Sequence, residues 1–132
     1  ETIDSYYAAD YIVNAVEPFT LKIGKPSVEI AQWFQARNYD RAAYITAWNP
    51  FGEKAPDYKN YAAERKLILE IESCNLFYLS GKSIDPLGIW VDEPSILIFG
   101  IFFESAKELA KKYRQNGFVY VESDTKPQLI LL

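Results

Sequence analysis

A tryptophan and an asparagine end an apolar run in "YITAWNPFG", Tyr44 to Gly52, where strands usually stop on small turn formers. An indole beside an amide is a recognition pair: the ring stacks on a flat ligand and the amide reads its polar edge. Trp48 and Asn49 are therefore candidate ligand-binding residues. Asn60 stands eleven positions after Asn49, in the first turn of a predicted helix. At about 100° per residue, Leu67 and Ile71 fall within about 20° of it, so its amide points along the apolar stripe toward the core. An inward amide must be hydrogen-bonded or carry a cost of about 1–3 kcal/mol. It either braces the loop at Asn49 and Pro50 or faces a pocket.

A second group lies in "WVDEPS", Trp90 to Ser95. Glu93 and Ser95 sit where a loop enters a strand, a rigid place from which polar side chains can face a crevice. Glu93 is the candidate catalytic residue, as a general base. Its plainer role is to accept backbone amides or pair with a lysine. Trp90 and Ser95 are candidate ligand contacts. Asp92 is a poor acid–base partner for Glu93, because adjacent strand residues point to opposite faces. In "YRQNGF", Asn116 and Gly117 read as a helix stop, whereas Gln115 remains a candidate contact.

Other chemistries lose ground. The chain has no histidine and one cysteine, which removes histidine-based triads, zinc sites built on Cys and His, and an intramolecular disulfide. Cys74 follows an apolar helical stripe and reads as a small buried or half-buried filler. "GKSIDPLG" lacks the order of a phosphate loop, and neither a Gly-x-Gly-x-x-Gly nor a Gly-x-Ser-x-Gly is present. The carboxylates match no calcium-loop spacing, and no metal or other cofactor is specified. A net charge of −4, with no basic cluster longer than Lys111-Lys112, argues against nucleic acid as a partner. No apolar run reaches the roughly 18–20 residues of a membrane span. The start "ETIDSYYAAD" has neither the basic region nor the apolar core of a signal peptide. The expectation is a soluble, cytoplasmic, bacterial-type protein.

The elements that must position these residues follow from hydrophobic periodicity. The 132 residues, 49% of them hydrophobic, fit one globular domain, residues 1–132. "ADYIVNA" and "FTLKIG" predict a first hairpin, and Ser27 caps a helix over "VEIAQWFQARN". "AAYITAW" and "SILIFGI" are apolar at nearly every position, the mark of central strands. A long helix, capped by Asp57, follows the first of them. "LFYLS" predicts a strand, and Gly81 to Pro94 the longest irregular segment. Ser105 with Glu108 reads as a capping box for the last helix, and "FVYVE" and "QLILL" as a closing hairpin. The order is ββαβαββαββ. It predicts an α+β (mixed α/β) fold with one central mixed sheet of six to seven strands, three helices and some parallel crossovers.

At these motifs the chain resembles the bacterial family called domain of unknown function 3293. The resemblance rests on "ITAWNPFG", Asn60 opening a helix, "WVDEPSILIFGI" and "AKELAKKYRQNGFVYVE". The family's pattern falls on Thr46, Ala47, Trp48, Asn49, Pro50, Asn60, Trp90, Glu93, Ser95, Gln115 and Asn116. Arg114 stands where the pattern has glycine, and Gly117 where it has alanine. The resemblance implies one compact domain and no known activity.

Two functions stay open. One is a small-molecule pocket, nucleotide-like or otherwise planar and polar in its ligand, at the end of the central strand. The other is a non-enzymatic protein-interaction or accessory domain, with the same motifs as loop braces and the ten tyrosines as partner surface. The first requires the motif side chains to converge on a cavity. The second requires an unusually large exposed apolar patch.

Overall fold

The computed structural model describes residues 3–132. In chain order these form α1 (Ile3–Ala8), β1 (Asp10–Val13), β2 (Phe19–Leu21), α2 (Val28–Arg37), β3 (Ala42–Ile45), a 3-10 turn (Pro50–Gly52), α3 (Asp57–Ser73), β4 (Tyr78–Ile84), β5 (Glu93–Phe99), α4 (Phe103–Lys112), β6 (Gly117–Val121) and β7 (Gln128–Leu131). The fold is α+β. After α1, an extra helix in "IDSYYA", the strands and long helices come in the expected order. All seven strands join one sheet in the order β2-β1-β4-β5-β3-β6-β7.

Every pairing in that sheet is antiparallel, so the sheet is not mixed. The expectation of parallel crossovers came from the helices between strands. Those helices do join strands that run the same way, but another strand lies between each pair. β5 separates β3 from β4, and β3 separates β5 from β6. The segment β3-α3-β4-β5-α4-β6 is thus the split βαβ arrangement of ferredoxin-like folds. α1, β1, β2 and α2 extend it at one edge, and β7 closes the other.

The central strands are apolar on both faces because both are covered. Ala42, Tyr44, Leu97 and Phe99 pack with Ile30 and Phe34 of α2. Ala43, Ile45, Ile96 and Ile98 pack with Leu67 and Ile71 of α3 and with Ala106 and Ala110 of α4. Ser27 caps α2 as expected, accepting from the Ile30 amide at 3.1 Å. Among the described residues no helix is long and apolar enough to cross a membrane.

Local expectations are corrected in five places. β4 does not stop at Ser80 but runs to Ile84, so the irregular segment shrinks to residues 85–92. Gly81 reads as a breaker in sequence. In the sheet it is a close-approach residue, since a Cβ there would collide with the Ile12 carbonyl and meet the Tyr44 hydroxyl at 2.8 Å. Neither Asp57 nor Ser105 caps its helix. α3 begins on Asp57 after Pro56, and α4 begins two residues before Ser105. The stop of α4 is not Asn116-Gly117 but Arg114, which takes the left-handed conformation at φ 57°. The Gln115 amide then reaches back to the Ala110 carbonyl at 3.0 Å, closing a Schellman turn. Glycine adopts that left-handed conformation without steric cost, so arginine is an unusual occupant of it. Cys74 is exposed rather than buried.

Candidate functional site

β3 ends where β5 begins, because the two are antiparallel, with Ile45 opposite Ile96. The chain after β3 is held at this sheet end from three sides. Thr46 donates its hydroxyl to the Pro94 carbonyl at 2.7 Å and accepts the Trp48 amide at 3.0 Å. Gln115, 8% exposed, donates to the Trp48 carbonyl at 3.1 Å. The Phe51 amide donates to the Arg114 carbonyl at 2.6 Å. So clamped, the turn carries two non-glycine residues at positive φ, Asn49 at 46° and Phe51 at 58°. Asparagine tolerates that region, whereas a bulky phenylalanine is there only because its surroundings dictate it.

The two asparagines form one unit. The Asn49 amide N–H donates to the Asn60 side-chain oxygen at 2.9 Å. The Asn60 Nδ2 returns the bond to the Asn49 Oδ1 at 2.9 Å and reaches the Ala55 carbonyl at 3.2 Å. The Asn49 Oδ1 also accepts the Ala55 amide at 3.0 Å. Asn60, 2% exposed, therefore meets its inward amide's needs by bracing the loop. The Asn49 Nδ2 points the other way and donates to the Glu93 Oε2 at 2.9 Å. Glu93 is 6% exposed and opens β5. α3, the turn after β3 and the head of β5 are thus linked through two side-chain amides and one carboxylate.

Two cavities meet at this carboxylate. The outer one, about 600 Å³, is bordered by five of the residues singled out from sequence: Trp48, Asn49, Asn60, Trp90 and Glu93. The inner one, about 30 Å³, is bordered by the other two, Ser95 and Gln115, and again by Trp90 and Glu93. All seven therefore lie at one end of the sheet. Trp48 offers little face to the outer cavity, being 7% exposed and set edge-to-face with Tyr61, the ring centroids 5.0 Å apart. Its indole N–H is buried and has no hydrogen-bond partner. Half-buried Trp90 is the more accessible ring. It rides on a loop tied by Asp85, whose carboxylate oxygens accept the Leu87 amide at 3.0 Å and the Ile89 amide at 2.8 Å.

The inner chamber was not foreseen. Its wall carries Tyr44, Thr46 and Ser83 beside Ser95. The Tyr44 hydroxyl donates to the Ile12 carbonyl at 2.8 Å, and Ser83 and Ser95 share a hydrogen bond at 3.2 Å. Burial pushes the Tyr44 phenol above its ordinary range, and hydrogen bonds from Ser95 and Ser83 offset part of that. Period-two spacing would have put Tyr44 and Thr46 on one face. Ser83 is reachable only through its register opposite Glu93, which a single sequence does not contain. Among the described residues no three acidic or thiol side chains gather to hold a metal ion.

A family model described as a protein of unknown function (DUF3293) matches residues 45–117. That span covers more than half of the chain and runs from the end of β3 to the start of β6, so it contains all seven residues. No curated protein and no solved structure matched the chain.

Proposed function

We propose a function from the site alone, because the chain belongs to a family, DUF3293, whose description names no activity. The protein binds a small planar polar molecule in the outer cavity at the end of β3. The observation that carries this reading is convergence: five residues picked for their chemistry, spread from position 48 to 93, border one cavity of about 600 Å³. Ligand pockets span about 300–1,000 Å³. In this reading the amides do not read the ligand. Asn49 and Asn60 hold the turn and the Glu93 carboxylate in place, while Trp90 supplies the ring face and Glu93 the charge. If a reaction occurs there, Glu93 is its base.

A thermal-shift screen of metabolites tests this, since a ligand of the folded state raises apparent stability. Hits should lose their effect in Trp90→Ala. A screen without hits, or hits indifferent to that substitution, would remove the reading. A second reading, a protein-interaction surface, draws on the loop beside the cavity, where Leu87, Ile89 and Val91 are 77%, 79% and 73% exposed. Three such residues around one tryptophan form a compact apolar lip. Light scattering on Leu87→Ser/Ile89→Ser against the wild type would detect self-association through it.

A further inference from the structure

The outer cavity has a sign. Three carboxylates border it, Asp57, Asp92 and Glu93, against one ammonium, Lys54. Asp92 is half met by Lys82 at 3.7 Å. Glu93 is the buried member of the three, and it stands where both indoles border the space. Attraction between a carboxylate and a ligand cation strengthens as water is excluded, and an aromatic face adds to it.

Among the described residues the wall offers a phosphate one lysine, Lys54, and no arginine. Phosphate sites use arginine forks, lysines or free backbone N–H groups at a helix start. α3 does open on the cavity, but its first turn carries Asp57. The Lys59 and Asn60 amides already donate to the Pro56 carbonyl at 3.0 and 3.1 Å. The positive end of the helix is thereby offset by an acidic side chain and partly consumed.

An independent sign lies on the same wall. The Trp48 indole N–H is buried without a partner, although Trp48 itself borders the cavity. Buried donors are nearly always satisfied, so an orphan on a residue that borders a cavity calls for a partner, a water or a ligand acceptor.

Resting on the pocket reading above, we propose that the cavity selects a small organic cation, a protonated amine or guanidine attached to a flat ring bearing a hydrogen-bond acceptor, and rejects nucleotides and other phosphate esters. The ammonium lies toward Glu93, the ring against Trp90, and the acceptor toward the Trp48 indole N–H.

The three tryptophans supply the test, because Trp48 and Trp90 border the cavity whereas Trp33 lies on α2, half-buried against Phe77 and Phe99, and does not border it. The indole N–H signals of ¹⁵N-labelled protein are followed during titration with 5-methoxytryptamine, with its neutral alcohol analogue 5-methoxytryptophol, and with adenosine monophosphate. The amine should shift the Trp48 and Trp90 signals saturably and leave Trp33 in place. The alcohol should bind at least about tenfold more weakly, the factor that a charge-assisted hydrogen bond supplies. Glu93→Gln should erase the difference between amine and alcohol. Equal binding of amine and alcohol in the wild type overturns the cation claim, and that comparison holds even if the variant does not fold. Shifts by the nucleotide alone also overturn it while leaving the pocket reading standing. Silence of Trp48 and Trp90 toward all three probes overturns it too, and the metabolite screen then decides separately whether the pocket reading survives.

Discussion

The two faces of one strand pair, β3 and β5, are built differently. Toward α3 and α4 they present Ala43, Ile45, Ile96 and Ile98, and every one is at most 1% exposed. Toward α1 and α2 they present Ala42 and Phe99 at one end of the sheet, Tyr44 opposite Leu97 in the middle, then Ser95 and Glu93 toward the other end. The first face is a uniform packing surface. The second changes from apolar to hydroxyl to carboxylate over the length of a single strand. A uniform face needs only volume to be filled. A graded face keeps polar atoms away from bulk water and must satisfy each of them, which explains the density of side-chain bonds at one sheet end.

The contrast breaks hardest on the packing face. Ile98→Ala removes most of a fully buried side chain between the sheet and its helices. Such truncations cost about 2–5 kcal/mol. Urea unfolding should show the loss with the slope unchanged, and the folded variant should still give the amine response at Trp48 and Trp90. Loss of that response would mean that the two faces are coupled.

On the graded face, Asn49→Ala should cost about 2–3 kcal/mol, because it strands the Ala55 amide and one hydrogen of the Asn60 Nδ2 and puts alanine at φ 46°. Asn49→Gly separates the causes. It keeps the left-handed backbone without strain, so the cost that remains belongs to the amide. Here the amine response should fall in both variants, since Glu93 loses the donor that orients it. A glycine variant as stable as the wild type would reduce Asn49 to a backbone role.

The same contrast governs what could be read in sequence. Packing is local and periodic, so the inward direction of Asn60, the central place of β3 and β5 and the Ser27 cap were all legible. Asn60's partner was legible only as an alternative, because the bond to Asn49 depends on how the turn folds back. Long-range fit was not legible. Gly81 looked like a strand end because its purpose, room for the Ile12 carbonyl and the Tyr44 hydroxyl, lies in other strands. Arg114 could not be read as a left-handed helix stop, since nothing in its type favours that conformation. The antiparallel sheet was hidden for a related reason: connectivity reveals strand direction, and only pairing reveals which strand is inserted between.

A smaller effect sharpens the graded face. Tyr44→Phe removes one hydroxyl and leaves the Ile12 carbonyl without that partner. A loss of about 1 kcal/mol is expected. Chemical denaturation measures it, and a neutral result would mean that Ser83 and Ser95 rearrange to fill the gap. The double variant Tyr44→Phe/Ser95→Ala then tests coupling, because groups in one network do not add.

The least effect is expected where the apolar face meets water. Glu70 of α3 accepts from Lys112 and from the Tyr113 hydroxyl, each at 2.7 Å, across the rim between α3 and α4. Burial pushes its carboxyl upward, but the bonds from Lys112 and Tyr113 outweigh that and hold it below its ordinary value of 4.5. A carboxyl lowered by folding contributes stability that is whole above its unfolded pKa and is lost as pH falls through the folded one. Glu70→Gln should therefore be less stable than wild type at neutral pH by no more than about 1 kcal/mol. The two unfolding curves should converge as the pH drops below about 4.5. Raising the salt concentration at neutral pH should shrink the gap as well, because the pair lies at the surface. Divergence toward acid would assign the pH response to another carboxylate.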